Sequence, residues 1–91
     1  MELQIRKIES NDISDALIMV KRVFDQFQAP SLTYEGVTEF YSYITVSKAI
    51  ERLNSDHFGL LATKNNIIVG MIEIRNFKHI SLLFVDSKYH K

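Results

Sequence analysis

The chain has 91 residues, of which 46% are hydrophobic, and its eleven basic groups balance eleven acidic ones to a formal net charge of zero. That length holds one domain with a thin core, and the even charge excludes a surface built to neutralise many phosphates, so no nucleic-acid partner is expected. The absence of cysteine excludes a disulfide framework, a thiolate zinc site, an iron–sulfur cluster and a cysteine nucleophile.

No apolar run approaches the roughly 20 residues needed to cross a bilayer, and Met1-Glu2-Leu3-Gln4-Ile5-Arg6 lacks the layout of a signal peptide. A cytoplasmic protein without membrane contact is expected. Residues 2–8 alternate at first, which predicts a short strand with Leu3 and Ile5 on its inner face. Ser10, Asn11 and Asp12 then offer side-chain acceptors for the free amides of a helix start. Ile13, Ala16, Leu17, Val20, Phe24 and Phe27 follow at spacings of three and four, the stripe of an amphipathic helix. Pro30 cannot continue it and biases Ala29 toward extended backbone, so the helix is expected to end near Gln28.

Thr33 is placed to cap a second helix with Val37, Phe40, Tyr41 and Ile44 on one face. Residues 47–54 read as a short third helical piece, or an extension of the second, with Ser47 as cap and Ala49, Ile50 and Leu53 inward. From His57 the period changes. Phe58 to Thr63, Ile67 to Arg75 and Ile80 to Asp86 are strand-like, and Asn65-Asn66, which tolerate positive φ, predict a tight hairpin turn between the first two.

In the middle strand Ile67, Val69 and Met71 are expected to oppose Ile68, Ile72 and Ile74; in the last, Ile80, Leu82 and Phe84 oppose Leu83 and Val85. Strands apolar on both faces are normally covered on both. The helices precede the meander, so one sheet face and the final strand's edge are expected to lack cover.

This order of elements, with Ile68-Val69-Gly70-Met71-Ile72-Glu73 in one strand and Leu82-Leu83-Phe84-Val85-Asp86-Ser87-Lys88-Tyr89 in the last, resembles the amino-terminal half of a GNAT-family N-acetyltransferase. The resemblance covers essentially the whole chain. It implies an α+β fold of order β-α-α-β-β-β, with a mostly antiparallel four-stranded sheet and helices on one face, and residues 1–91 as a single partial domain. In the family the fourth strand runs through an aliphatic-x-Val-x-x-x-Tyr segment into a glycine-rich turn whose amides hold the pyrophosphate of acetyl-coenzyme A. Val85 and Tyr89 match the approach; His90 stands where Gln or Arg is typical, and Lys91 is reached before any glycine of the turn.

The resemblance implies transfer of an acetyl group from acetyl-coenzyme A to a small-molecule or peptide amine, by direct attack of the neutral amine on the thioester. It implies cofactor contacts from the backbone of Phe84 and Val85, and acceptor contacts from the segment holding Tyr34, Phe40, Tyr41 and Tyr43. The half carrying the usual general acid would lie beyond residue 91, so the chain alone is expected to hold acetyl-coenzyme A weakly or not at all and to be inactive. Glu73, a carboxylate within an apolar strand, is the candidate base, against pairing with Arg75 or a neighbouring strand, or exposure to solvent. His79 and Ser81, opening the last strand, are candidate acceptor contacts, against plain solvation. His57, His79 and His90 lack ligand spacing, and no metal is expected.

Two other readings are compatible with the residues. A self-associating module, recruiting a second copy or another protein through the open sheet edge or face, accounts for the uncovered strands. A ligand-binding α+β domain unrelated to acetyl transfer accounts for the meander but not for the segment from Val85 to Tyr89.

Overall fold

The computed structural model describes residues 3–76 and 78–86. β1 (Gln4–Lys7) leads into α1 (Ile13–Phe27), α2 (Tyr34–Tyr43) and α3 (Val46–Leu53), followed by β2 (His57–Lys64), β3 (Ile67–Arg75) and β4 (His79–Val85). The strands form one antiparallel sheet in the order β1-β2-β3-β4, with the helices packed on one face. The α+β architecture expected from the sequence is the one observed. The tail from Ser87 to Lys91, with Tyr89 and His90, lies outside the described residues.

The helix boundaries follow from local chemistry. Ser10–Asp12 forms a 3-10 turn instead of capping α1 directly: the Asp12 carboxylate takes the Glu9 amide at 2.8 Å and both terminal nitrogens of Arg6 at 2.7 and 2.8 Å. α1 ends at Phe27 with Gln28 as its cap, and Pro30 sits in a second 3-10 turn, Ala29–Ser31. The Thr33 hydroxyl oxygen accepts from the Gly36 amide at 3.0 Å, as expected. α3 is a separate helix capped by Thr45, which accepts from Lys48 N at 3.3 Å; the expected cap, Ser47, lies one residue inside it.

Asn65 and Asn66 turn the β2–β3 hairpin at φ 55° and 65°, the left-handed pair that a two-residue connection requires. Two register shifts then reassign side chains. Thr63 pairs with Ile68 while Ala62 pairs with Gly70, so Val69 is the extra residue of a bulge. Ile68 therefore packs against the core on the side of Met71, while Ile67 is exposed, the reverse of strict alternation. A second shift pairs Ile80 with Ile74 and Leu82 with Glu73, which turns Ile80 away from Leu82 and Phe84. Ile5 pairs with Ala62, which faces away from the helices, so Leu3 and Ile5 are exposed instead of inward.

The core lies between α1 and the sheet, with Ala16, Val20 and Phe24 over Leu61, Met71, Leu82 and Phe84. Val37, Phe40 and Tyr41 of α2 and Ile44, its cap, join it, in agreement with the face read from their spacing. The opposite face carries Ile5, Leu60, Ile72, Ile74, Leu83 and Val85 with no helix of the described residues upon it. Expected and observed agree on that uncovered face.

The Arg6–Asp12 pair has a consequence at low pH. Hydrogen bonding to Arg6, helped by the Glu9 amide, lowers the Asp12 carboxyl to about 2 against the opposing effect of partial burial. A carboxyl depressed in the folded state contributes stability that is complete above its unfolded value near 4 and is lost as pH falls through about 2. Asp12→Asn is therefore expected to be less stable than the parent at neutral pH and to converge with it between about pH 4 and pH 2, read from urea midpoints at each pH.

Candidate functional site

Glu73 stands at the centre of the covered face and is fully buried. Its partner is Arg52 of α3, not Arg75. The guanidinium reaches both carboxylate oxygens, Nε to Oε2 at 2.6 Å and Nη2 to Oε1 at 3.2 Å, lies 3.8 Å above the Tyr43 ring, and donates through Nη1 to the Tyr43 carbonyl. The Ser81 hydroxyl bonds the Glu73 carbonyl at 3.2 Å and stands 3.4 Å from Oε2. His57 Nε2 lies 3.6 Å from the same oxygen, while Nδ1 meets Asp56 at 2.8 Å. That hydrogen bond lowers the Asp56 carboxyl. Four elements thus meet on one carboxylate, α3 and the three strands of the meander, and the end of α2 joins them through Arg52.

A buried carboxylate needs this company, because desolvation without pairing would cost several kcal/mol. The local sequence supplies it. Arg52 is three residues past the buried Ala49, beside Leu53, and so lies on the inner stripe of α3. Ser81 reaches Glu73 because the bulge in β4 turns it there.

The other residues singled out in the sequence divide between packing and solvent. Phe40 stacks on Phe24 with centroids 4.0 Å apart and leans on Phe84 at 5.7 Å, joining α2 to the last strand. Tyr41 donates its hydroxyl to Asp25 at 2.5 Å, and Lys21 shares that carboxylate at 2.9 Å while lying over the ring. The phenol is raised by its bond to Asp25, and the Asp25 carboxyl is lowered chiefly by Tyr41 and then by Lys21. Tyr34, the first residue of α2, is 84% exposed, and His79 is exposed at the start of β4.

β4 is the border strand of the sheet among the described residues. Phe84 pairs with Met71 and Val85 with Gly70, whose missing side chain leaves a depression of about 180 Å³ on the uncovered face, walled by Ile5, Ala62, Ile72, Leu83 and Val85. A Cβ on Gly70 would meet the Phe84 carbonyl at 3.4 Å and Ala62 at 3.5 Å. One residue further, the Asp86 amide donates to Val69 O at 2.8 Å and its carboxylate pairs with Arg22 of α1.

Three helices over a meander whose last strand is left at the border, beside an apolar face, match a recognised pattern. A family model described as an acetyltransferase (GNAT) domain matches residues 28–91. The chain belongs to the GNAT acetyltransferase family. Among curated proteins none matches it by sequence. Among solved structures it is similar to the PaiA N-acetyltransferase of Thermoplasma acidophilum in complex with coenzyme A, at 17% identity and a TM-score of 0.82 over 98% of this chain and 62% of that one. A GCN5-related N-acetyltransferase of Rhodopseudomonas palustris is similar at 20% identity and TM-score 0.80, over 98% of this chain and 56% of that one. An aminoglycoside 6'-N-acetyltransferase of Acinetobacter baumannii gives 18% identity and TM-score 0.51, over 97% and 60%. The chain spans 56 to 62% of the length of these three, and its strands and helices correspond to the amino-terminal half of the GNAT fold.

Sequence reasoning missed four residues of this GNAT half: Arg52, His57, Arg22 and Asp86. The signal for Arg52 was its place on an apolar helical stripe, and for Asp86 its phase with Leu82 and Phe84. Nothing in the local pattern marks His57 or Arg22, whose partners are distant in sequence. No helix of the described residues is long and apolar enough to cross a membrane.

Proposed function

We propose that residues 1–91 form the acceptor-side part of a cytoplasmic, acetyl-coenzyme A-dependent N-acetyltransferase domain. The observation that carries the reading is β4 at the sheet border, backed through Phe84 by the aromatic stack of α2 and flanked by the bare face at Gly70. Acetyl-coenzyme A, when bound, supplies the acetyl group as a thioester. The fit rests on an apolar border strand and the cradle at Gly70, which suit an uncharged pantetheine arm.

In this reading the main chain of Phe84 and Val85 holds that arm and directs an amide toward the thioester carbonyl, where charge builds as the amine nitrogen attacks. In that transfer the bond from acetyl carbon to sulfur would break, the acetyl group would stay on the amine, coenzyme A would leave as its thiol, and the proton the amine gives up would be balanced by the one the sulfur takes. Glu73 enters as the base through Ser81, because both its oxygens are held by Arg52 and the partly exposed Ser81 hydroxyl is the group that touches it from β4. Tyr34 and His79, both exposed, and the α2 face holding Phe40 and Tyr41 form the proposed acceptor side. The substrate class is a small-molecule or peptide amine; the aminoglycoside acetyltransferase among the similar structures supports the small-molecule choice.

Titrating acetyl-coenzyme A by calorimetry, at one salt concentration, into this chain and into one carried about 60 residues past Lys91 tests the reading, because such an extension gives an ordinary domain size. Tight binding only by the longer chain is expected. Binding by neither would favour the bare face as a surface for a second copy of the chain, and tight binding by the 91-residue chain would move the cofactor site away from where it is placed here.

A further inference from the structure

The end of β4 is held in two independent ways. Main-chain pairing continues one residue past the strand, through the Asp86 amide to Val69 O at 2.8 Å. The Asp86 side chain, only 10% exposed, turns in phase with Leu82 and Phe84 to the helix-covered face and accepts from Arg22 Nη2 of α1, 64 residues away in sequence. The groove around this pair contains a second arginine, Arg6, but both terminal nitrogens of Arg6 are engaged by Asp12. Each arginine has its own carboxylate, and the one on α1 reaches the last strand.

Given the reading of β4 as the cofactor strand, on which this inference rests, we infer that Arg22 is a positioning residue for acetyl-coenzyme A binding. It acts through Asp86, locking the residue that follows β4 so that Phe84 and Val85 present their main chain at a fixed angle to the pantetheine arm. Arg22 is suited to this and not to core stability. Its side chain is 55% exposed, so an ion pair from it contributes little to the fold, whereas a small displacement of a strand end that must align a ligand has a large effect on binding. Asp86 itself has further interactions, which makes Arg22 the cleaner position to vary.

The test uses the chain carried past Lys91, with Arg22→Met, which keeps the aliphatic stem, and Arg22→Lys, which keeps the charge. For Arg22→Met the dissociation constant for coenzyme A, per folded molecule, is expected to rise about tenfold, with the Asp86 amide exchanging faster and the Leu61 amide unchanged. Arg22→Lys is expected to restore binding to within about threefold of the parent. Equal affinity of the parent and Arg22→Met overturns the inference while leaving the acetyltransferase reading intact. So does a loss of affinity matched by faster exchange at Leu61, which would mark general destabilisation. Failure of the unsubstituted longer chain to bind coenzyme A overturns both.

Discussion

Glu73→Ala is expected to lower stability by about 3 to 5 kcal/mol, most of what a domain of this size possesses. The carboxylate is fully buried, and Arg52, only 10% exposed, has it as the acceptor for two of its nitrogens. Removing one partner leaves a guanidinium in a site with the Tyr43 ring and one carbonyl but no negative charge. Replacing both partners by apolar residues, Arg52→Met with Glu73→Leu, is expected to cost clearly less than Glu73→Ala alone, because no charge is then stranded. Urea midpoints of Arg52→Met, Glu73→Leu and the double variant close the cycle. A loss below about 1 kcal/mol for Glu73→Ala would show that solvent reaches the pair and that it behaves as a surface bridge.

Phe24→Ala is expected to cost a similar amount, about 3 to 5 kcal/mol, by a different route. Phe24 is 1% exposed, stacked on Phe40 at 4.0 Å and edge-on to Tyr41 at 6.0 Å, so truncation empties a ring-sized volume between α1 and α2. Phe40 loses its stacking partner but keeps Phe84, and the consequence passes to β4. Phe24→Leu refills most of the volume without the ring and is expected to cost less than half as much, about 1.5 kcal/mol, from urea midpoints with unchanged slope. Equal losses for Ala and Leu would mean that ring geometry, and not filled volume, holds the two helices together.

These two sites differ in how well they can be read from the chain. Phe24 falls on a stripe with Ile13, Ala16, Leu17 and Val20, and a helical period places it inward without knowledge of any partner. Glu73 sits in a strand whose alternation gives it a face but no partner. Arg75, two residues on, is its nearest cation in sequence, yet the cation that reaches it is Arg52, from a helix laid over β2 and β3. Distance along the chain carries no information about such a pairing, since any charged residue on the inner stripe of α2 or α3 would read the same way.

The bulges set a second limit. Strict alternation placed Ile67 with Met71 and Ile80 with Leu82; one inserted residue in β3 and another in β4 reversed both. A bulge depends on how two strands agree in length between their turns, which neither strand encodes alone. The sequence by itself determined the element order, the left-handed Asn65-Asn66 turn, the stop at Pro30, the inward stripe of α2, that of α1 as far as Phe24 but not at Phe27, which is half exposed, and the presence of an apolar face without cover, because each follows from backbone preference or periodicity within a few residues. Only the tertiary structure decided that Arg52 neutralises Glu73, that Ser81 and His57 join them, that Tyr41 is engaged by Asp25, and that Arg22 holds the end of β4. Those are electrostatic and hydrogen-bonding choices between groups 8 to 64 residues apart, made only when helices and sheet bring the partners together.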